Sequence, residues 1–461
     1  MEQETVLHIE GTVEQVLYRN EQNGYTVLDL DANGTLITVV GELGDVEEGE
    51  QLSVDGTYVN HVRFGVQFQA QYVERKLPED AINIQRYLSS GVIKGIGSAL
   101  AKKIVTAFGS QTLEIMEKQP TRLMEIRGIS PKKCEAIAQE VQKIFALRSL
   151  MLFLQQYNIR SRYAMRAYQC YGSGAKEMIL ANPYLLCGMG IELPFEKAEI
   201  LADDLKVPKN AEQRILAGTC YILEHNTHNG YTCLPLDRLQ PKVCEYLQVS
   251  ESEFLSAYQA AQKEGNLVSY QKETREFVYL PAYYEAEQYI ADRIGVLRDF
   301  SAPEDQEIYL DLIKREETEQ GIQYAELQRK AILSALSRGL LILTGGPGTG
   351  KTTTLNGMIS LFEKQGYQVM LAAPTGRAAQ RISDLTGYEA KTIHRLLEVE
   401  FDMAGATKFR HNESNPLTCD VMIVDEMSMV DVLLFESLLR ALRFSCKLIM
   451  VGDSDQLPSV G

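Results

Sequence analysis

A glycine-rich stretch that ends in lysine and threonine has the composition of a phosphate-binding loop. Residues 340–354 read LLILTGGPGTGKTTT, an apolar run followed by four glycines and then by Lys351 and Thr352. Glycine lets backbone N–H groups turn inward and approach a phosphate chain closely. A helix that begins beneath the phosphates adds the partial positive charge of its N-terminus. A plain glycine-rich turn is the alternative, and the Lys-Thr pair after an apolar strand argues against it.

The spacing of this stretch matches the Walker A loop of nucleotide-binding proteins. In that loop the ammonium group of Lys351 reaches the β- and γ-phosphates, and the hydroxyl of Thr352 joins Mg²⁺. The residues expected to contact the nucleotide here are Gly345, Gly346, Pro347, Gly348, Thr349, Gly350, Lys351, Thr352 and Thr353.

Acidic and amide residues at three other points complete the expected nucleotide site. The apolar run 421–424 ends in Asp425 and Glu426. This is a Walker B pair, in which Asp425 holds Mg²⁺ and Glu426 orients or activates the attacking water. Gln328 precedes the loop, and its amide can pair with both the donor and the acceptor edge of adenine. Gln456 follows the strand of CKLIMVGDSDQLPSVG, where it can sense the γ-phosphate.

The chain as a whole has the composition of a globular protein with reduced thiols. Its 461 residues are 45% hydrophobic and 23% charged, enough for three or four domains of roughly 150 residues each. Eight cysteines are scattered without CxxC or zinc spacing, which indicates free thiols. The acidic N-terminus MEQETVLHIEG has no apolar signal core, and no run approaches the roughly 18 apolar residues of a membrane span. We therefore expect a soluble cytoplasmic protein.

Positive charge is concentrated in one part of an acidic chain, whose formal net charge is −16. Residues 1–85 carry 4 basic and 16 acidic side chains, whereas residues 86–166 carry 14 basic and 5 acidic ones. A local basic block can bind phosphates although the whole chain is acidic. The distribution of charge therefore keeps DNA among the expected partners.

Residues 1–76 show the alternation of a small β domain. Five segments alternate apolar and polar residues, with Asn-Gly and Asp-Gly turns between them. Five short strands in this length favour a small OB-like β-barrel. Because the domain is acidic, we interpret Tyr25, Tyr58, Phe64 and Phe68 as core side chains rather than as a stacking platform for bases. The domain is then a structural module or the binding site of a protein partner.

Residues 77–205 are predicted to be helical, with glycine hairpins between the helices. Residues 93–97 read IKGIG and residues 126–130 read IRGIS, and each precedes a new helix. The pattern resembles tandem helix-hairpin-helix motifs, which hold a DNA backbone without reading bases. The alternative is a pair of helical hairpins that only pack, and this is how we interpret a third hairpin, 188–192. The residues expected to contact DNA are Lys94, Gly95, Gly97, Lys102, Lys103, Gly128, Lys132 and Lys133.

The remaining residues divide into a small α+β module and a nucleotide domain. Residues 206–300 read as helices followed by a hairpin, which favours a winged-helix-like module. Residues 301–461 alternate strands and helices around the Walker motifs, as in a RecA-like α/β P-loop domain with a parallel sheet. Residues 373–377, APTGR, follow a strand at the edge where open parallel sheets bind ligands.

Five motifs in a fixed order resemble those of the RecD-like helicases of superfamily 1B. They are GGPGTGKTTT, APTGRAA, TIHRLL, VDEMSMVD and GDSDQLPSVG, all within residues 321–461. A β domain followed by helix-hairpin-helix repeats is similar to the free-standing bacterial members of this family that have a long N-terminal region. The resemblance implies a 5′→3′ DNA helicase of DNA repair or recombination, driven by ATP and Mg²⁺.

The resemblance also implies roles for individual residues. It places Gln328 in the adenine-reading Q motif and makes Lys351, Glu426 and Gln456 the catalytic residues. The residues that fall in segments tracking single-stranded DNA are Pro374, Thr375, Arg377 and His394.

The family also has a second RecA-like domain with arginine fingers, whereas this sequence ends at Gly461, just after the last of the five motifs. An arginine finger is worth about 10³–10⁵ in rate. We therefore expect an N-terminal fragment that binds DNA and nucleotide but does not unwind DNA. The alternative function is a DNA-binding or protein-docking module in which the P-loop is a passive nucleotide switch.

Overall fold

The protein is described from a computed structural model. The structure describes residues 7–20, 25–32, 34–43, 46–61, 64–300, 306–346, 348–401 and 407–453. The chain forms two compact units, Met1–Lys206 and Val207–Gly461, and each is described by itself.

Five strands close into a small barrel at the start of the first unit. They are β1 (Leu7–Arg19), β2 (Tyr25–Ala32), β3 (Thr35–Glu42), β4 (Gln51–His61) and β5 (Gly65–Lys76). They pair in the order β1–β2–β3–β5–β4, and β4 pairs with β1 to close the barrel. Side chains alternate across the strands, so Val13, Leu28 and Phe68 fill the interior with no exposed surface. This is the OB-like barrel that the sequence predicts.

Three of the four aromatic side chains expected in the barrel core lie on its surface instead. Phe68 is fully buried, whereas Tyr25, Tyr58 and Phe64 are 39%, 49% and 65% exposed. In the described residues, pairing of β4 with β1 reaches Gly56, and Tyr58 and Phe64 follow it along the β4–β5 hairpin. Tyr58 packs edge-on over Phe68, with ring centroids 5.0 Å apart, at the end of the core.

The rest of the first unit is helical. Its helices are α1 (Ala81–Ser89), α2 (Ser98–Phe108), α3 (Thr112–Lys118), α4 (Pro131–Gln155), α5 (Ser161–Tyr171), α6 (Ala175–Ala181) and α7 (Phe195–Asp204). Side chains satisfy the free N–H groups where two of these helices begin. Asp80 accepts from two backbone N–H groups at the start of α1, and Ser130 accepts from Lys133 N at the start of α4, where Pro131 is the first helical residue.

The second unit begins with a helix–strand–helix–helix–hairpin module. Its elements are α8 (Glu212–Thr227), β6 (Cys233–Pro235), α9 (Leu236–Leu247), α10 (Glu251–Lys263), β7 (Val268–Lys272) and β8 (Arg275–Tyr279), and α11 (Pro281–Asp299) follows. The three strands form an antiparallel sheet in the order β6–β8–β7. A reciprocal capping box between Ser250 and Glu253 starts α10. The arrangement is the winged-helix-like module that the sequence predicts.

The nucleotide domain follows in the same unit. Its helices are α12 (Gln306–Gln320), α13 (Glu326–Ser337), α14 (Lys351–Lys364), α15 (Gly376–Thr386), α16 (Ile393–Leu397) and α17 (Val432–Ala441). Its strands are β9 (Leu340–Thr344), β10 (Val369–Ala373), β11 (Ala390–Thr392), β12 (Val399–Phe401), β13 (Thr407–Phe409), β14 (Val421–Val424) and β15 (Lys447–Gly452).

Five of these strands form one parallel sheet in the order β11–β10–β14–β15–β9. Both faces are covered, so β14 is fully buried along its length and reads as a continuous apolar run. All five carboxyl ends meet at one edge of the sheet, which is where such sheets bind ligands. The domain has the RecA-like parallel architecture that the sequence predicts.

All eight cysteines are free thiols in the described structure. Among the described residues, no helix is both long enough and apolar enough to cross a membrane.

Candidate nucleotide site and DNA interface

The glycine-rich loop joins β9 to α14 at the carboxyl edge of the parallel sheet. Gly348 and Gly350 adopt φ values of +76° and +83°, which glycine reaches without strain. The Thr349 hydroxyl donates to the Gly346 carbonyl over 2.9 Å and holds the loop in a compact turn. Because α14 begins at Lys351, its free backbone N–H groups point into the loop.

The side chain of Lys351 lies between this loop and the end of the neighbouring strand. Its Nζ atom donates to the Gly345 carbonyl over 2.5 Å and to the Gly452 carbonyl at the end of β15 over 3.3 Å. Burial raises the pKa of Asp425, and the positive charge of Lys351 offsets part of that rise. The ammonium group is therefore held where the loop and the strand ends converge.

Gln328 contacts the same loop from the first turn of α13. Its Oε1 atom accepts from Ala325 N over 2.9 Å, and its Nε2 atom donates to the Gly350 carbonyl over 3.4 Å. A Cβ atom added to Gly350 would lie 2.4 Å from that Nε2 atom, so a side chain at this position would displace the amide. The structure thus brings Gln328 to the nucleotide loop, although 22 residues separate it from Gly350.

The two acidic residues after β14 lie at the same edge of the sheet. Asp425 N donates to the Ala372 carbonyl of β10 over 2.9 Å. Burial raises the pKa of the Asp425 carboxyl, and the charge of Glu426 raises it further. Glu426 has φ of +52°, an uncommon value for a residue other than glycine, and its Oε1 atom lies 3.5 Å from Nη1 of Arg381.

Asp425 and Thr352 fit the needs of a magnesium ion. A half-buried carboxylate with a negative neighbour is stabilised by a cation beside it. Carboxylate and hydroxyl oxygens are hard ligands, and Mg²⁺ usually takes one or two protein groups together with phosphate and water. Among the described residues, no group of three or more histidine, cysteine, aspartate or glutamate side chains could hold a metal ion.

The residues expected to follow single-stranded DNA lie after β10 and β11. Thr375 accepts from Ala378 N over 3.2 Å and caps α15, which leaves the Arg377 side chain exposed in the first turn. Pro374 precedes this cap. His394 is exposed on α16, and its ring lies 6.1 Å from the Phe409 ring. These side chains therefore share the carboxyl edge of the sheet with the nucleotide loop.

Two expected site residues, Pro347 and Gln456, lie outside the described residues. Their roles in the nucleotide site stay predictions.

Both expected helix-hairpin-helix turns form in the first unit. In the first, Ile96 N donates to the Ile93 carbonyl over 3.1 Å; in the second, Ile129 N donates to the Ile126 carbonyl over 3.2 Å. These four isoleucines are at most 7% exposed and belong to one hydrophobic core. The two hairpins therefore form one packed pair.

The hairpin tips and the helix starts beside them face solvent. Gly95 and Gly128, with φ of +93° and +111°, provide the left-handed turns. A Cβ atom added to Gly95 would lie 3.9 Å from Ile137 Cγ1, so the first hairpin packs beside α4. Lys133 is half-buried. The other residues expected to contact DNA are exposed: Lys94, Gly95, Gly97, Lys102, Lys103, Gly128 and Lys132.

The third hairpin has the same turn but a different charge. Ile191 N donates to the Gly188 carbonyl over 3.1 Å, and Gly190 has φ of +86°. The carboxylate of Glu192 lies 3.4 Å from Arg166, which supports the structural role we assigned to this hairpin.

Two basic residues were missed by reasoning from the sequence. Arg127 is exposed in the second hairpin at the position that Lys94 occupies in the first, and aligning IRGIS with IKGIG could have found it. Arg381 contacts Glu426 and lies one helical turn beyond Arg377. No sequence pattern signals that contact, because it depends on which strand lies beside β10.

Four family models match successive parts of the chain. The OB-fold domain of the ATP-dependent DNA helicase YrrC matches residues 6–78, and a SAM-like helix-hairpin-helix tandem matches residues 86–143. The helix-hairpin-helix domain of the ATP-dependent RecD2 DNA helicase matches residues 143–233. An AAA domain matches residues 328–461.

Curated relatives carry the same names. The ATP-dependent RecD2 DNA helicase of Deinococcus radiodurans is 28% identical over 475 residues, which cover 98% of this chain and 64% of the relative. The RecBCD enzyme subunit RecD of Mycolicibacterium smegmatis is 43% identical over 158 residues, or 29% of this chain and 28% of that subunit. The RecD subunit of Haemophilus influenzae is 30% identical over 264 residues, or 52% of this chain and 39% of that subunit. The chain therefore spans less than two thirds of the length of these relatives.

The parallel sheet and its glycine-rich loop define a P-loop domain, and the first unit contains a pair of helix-hairpin-helix turns. The matching family models and curated relatives support a resemblance of this chain to the RecD-like helicases.

Proposed function

We propose that this chain forms the DNA-binding region and the first nucleotide-binding domain of an ATP-dependent DNA helicase that moves 5′→3′ in DNA repair or recombination. The observation that carries the proposal is the meeting of Lys351, Asp425 and Gln328 at one edge of the parallel sheet. We also propose the four domains with the bounds 1–76, 77–205, 206–300 and 301–461.

In this proposal the nucleotide site works by positioning and charge. Gln328 reads the adenine edge, the loop N–H groups wrap the phosphates, and Lys351 neutralises the charge on the β- and γ-phosphates. Thr352 and Asp425 hold Mg²⁺, which supplies further charge neutralisation at the phosphates. Glu426 orients the attacking water, and Gln456 senses the γ-phosphate.

DNA is proposed to bind at two kinds of surface. The helix-hairpin-helix pair holds the backbone through hairpin N–H groups and through Lys94, Lys102, Lys103 and Lys132. Single-stranded DNA follows the carboxyl edge of the sheet at Pro374, Thr375, Arg377 and His394.

A protein partner is proposed for the acidic barrel. Its β4–β5 hairpin exposes Tyr58, Phe64 and Val66, the last two at 65% each. Exposed aromatic side chains within a domain of strong negative charge suit a partner with basic and apolar side chains.

For residues 1–461 alone, we propose binding of DNA and nucleotide without unwinding. The chain covers 64% of the RecD2 relative, and the proposal is limited to the residues of this chain. A passive nucleotide switch on a DNA-binding module is the competing function.

Strand separation of a forked duplex by the 461-residue chain, with ATP and Mg²⁺, tests this proposal. We expect the chain to bind the fork and to separate no strands above a control without ATP. Strand separation that depends on ATP would contradict the proposed inactivity of this chain. Failure to bind any DNA would contradict the proposed function itself.

A further inference from the structure

An ion pair links the helix proposed to contact single-stranded DNA to the residue proposed to orient water. Arg381 of α15 places Nη1 3.5 Å from Oε1 of Glu426. The contact follows from the sheet, since β10 and β14 are neighbouring parallel strands with Ala372 opposite Val424. The two segments that leave these strands therefore emerge side by side at the carboxyl edge.

The two partners differ in exposure. The Arg381 side chain is 72% exposed, whereas that of Glu426 is 20% exposed. An ion pair with one partner largely in water is weak, because solvent screens it. The guanidinium fork of an arginine can bind two phosphate oxygens at once, whereas Arg381 contacts Glu426 through a single pair of atoms, Nη1 and Oε1.

Glu426 is fixed from the backbone side. Its φ of +52° is left-handed, and Met429 N donates to its carbonyl over 3.0 Å. A residue other than glycine keeps this left-handed backbone conformation only where the surrounding structure enforces it, and such residues are typical of functional positions. A change of partner would therefore require movement of the two side chains and not of the Glu426 backbone.

The surface around Arg381 suits a nucleotide of a DNA strand. A shallow depression, open to solvent, lies along α15 and is lined by Arg377, Gln380, Arg381, Asp384 and Leu385. Its single carboxylate, Asp384, accepts from Gln380 Nε2 over 2.8 Å. The two arginines, one helical turn apart, offer positive charge for phosphates, and Leu385, which is 51% exposed, offers an apolar contact for a sugar or base.

We propose that Arg381 is a positioning residue that responds to DNA. Without single-stranded DNA it pairs with Glu426 and holds that carboxylate away from the attacking water; a DNA phosphate at α15 takes over Arg381 and releases Glu426. The inference rests on the proposed function, and it adds a physical route by which DNA at α15 controls hydrolysis at the nucleotide loop.

A double-mutant cycle on DNA affinity tests the exchange without requiring hydrolysis. The variants are Glu426→Gln, Arg381→Gln and the two together in the 461-residue chain, with nucleotide absent. The probe is a fluorescently labelled oligothymidylate of about 10 nucleotides, a length within the range of single-strand binding sites. The cycle is repeated with Lys102→Glu and Lys103→Glu present, so that binding at the hairpins does not mask binding at α15.

Glu426→Gln frees Arg381, and we expect it to tighten binding about twofold to fivefold, the range of an exposed ion pair. One added phosphate contact also steepens the dependence of log affinity on log salt by about 0.7 for a single strand. Arg381→Gln weakens binding, and in its presence Glu426→Gln has no further effect.

Glu389→Gln is the matched control. Glu389 is paired with Lys391 at 3.6 Å just before β11 begins, and it is 79% exposed, so its loss removes one charge and an ion pair of similar length. We expect this control to leave the affinity unchanged. Thermal unfolding of each variant verifies that it is folded.

Two results would overturn the inference while leaving the proposed function in place. One is single-strand binding that Glu426→Gln does not change. The other is tightening by Glu426→Gln that persists with Arg381→Gln, which would reflect only the loss of a negative charge. A wild-type chain that binds no single-stranded DNA would overturn the proposed function, and this inference with it.

Discussion

Glu316 is a buried carboxylate that ties α12 to the helix of the nucleotide loop. It is 1% exposed, and Lys364 at the end of α14 donates to its Oε2 atom over 2.5 Å. Burial acts to raise its pKa, but the hydrogen bonds from Lys364, Ser360 and Gln320 outweigh burial and lower the pKa below its ordinary value of 4.5. A carboxylate with a lowered pKa stabilises the folded state above its unfolded pKa.

We expect the unfolding free energy to fall as the pH drops from about 4.5 through the lower pKa of folded Glu316. Glu316→Gln should cost about 2 kcal/mol at pH 7, since it replaces charge-assisted hydrogen bonds by neutral ones. It should also flatten the loss of stability in acid. Urea denaturation at a series of pH values measures both effects.

Glu319→Gln is the control for this prediction. Glu319 contacts the same lysine but is 62% exposed, so its loss should cost less than about 1 kcal/mol. Equal decreases in unfolding free energy for Glu316→Gln and Glu319→Gln would show that burial of Glu316 adds nothing to the stability gained from its ion pair with Lys364.

At the residue scale, the sequence predicts the loop glycines, Lys351 and the Asp425–Glu426 pair because their chemistry needs fixed spacing. Gln328 is also predicted, and the structure brings it to the loop. The Arg381–Glu426 contact could not be predicted, because it depends on β14 lying next to β10 and on the left-handed backbone of Glu426.

At the scale of secondary-structure elements, we make one prediction about the helix-hairpin-helix pair. Lys102 and Lys103 are exposed on α2, directly after the first hairpin. Reversing both charges should weaken duplex binding by roughly tenfold or more at low salt and reduce the salt slope by about 2, roughly one for each lost phosphate contact. Fluorescence anisotropy with a labelled duplex at several salt concentrations measures both quantities.

Lys118→Glu provides the comparison within the same basic block. Its ammonium group already pairs with Glu114 at 3.0 Å, so it is less available to a phosphate. If the Lys102→Glu, Lys103→Glu protein binds DNA as the wild type does, the basic block is a solvated surface and the hairpins only pack.

Secondary-structure elements could be predicted where a short sequence pattern determines them. The I-x-G-I turns, the Ser130–Pro131 helix start and the alternation of β1 to β5 are all read within a few residues. The exposure of Tyr58 and Phe64 was not predicted, because alternation assigns a face of a strand but not the point where the barrel closes. That point depends on pairing between strands from distant parts of the sequence.

At the scale of the whole molecule, charge and domain order agree. The acidic segment 1–85 forms the barrel, and the segment 86–166, in which basic residues outnumber acidic ones, contains the hairpin pair proposed to hold DNA. The net charge of −16 alone would have argued against DNA. The order of the four family matches agrees with the expectation drawn from the distribution of charge along the chain. It does not agree with the expectation drawn from the net charge alone.

The central claim is that this chain binds nucleotide through the Lys351 loop, and binding of a fluorescent ATP analogue with Mg²⁺ tests it most directly. Wild type, Lys351→Ala and Lys314→Ala are compared; Lys314 is 71% exposed on α12 and serves as the control. We expect wild type and Lys314→Ala to bind alike and Lys351→Ala to bind about tenfold to a hundredfold more weakly, as fits the loss of a charge-assisted hydrogen bond. Equal binding by Lys351→Ala and wild type, or no binding by any of the three, would contradict the claim.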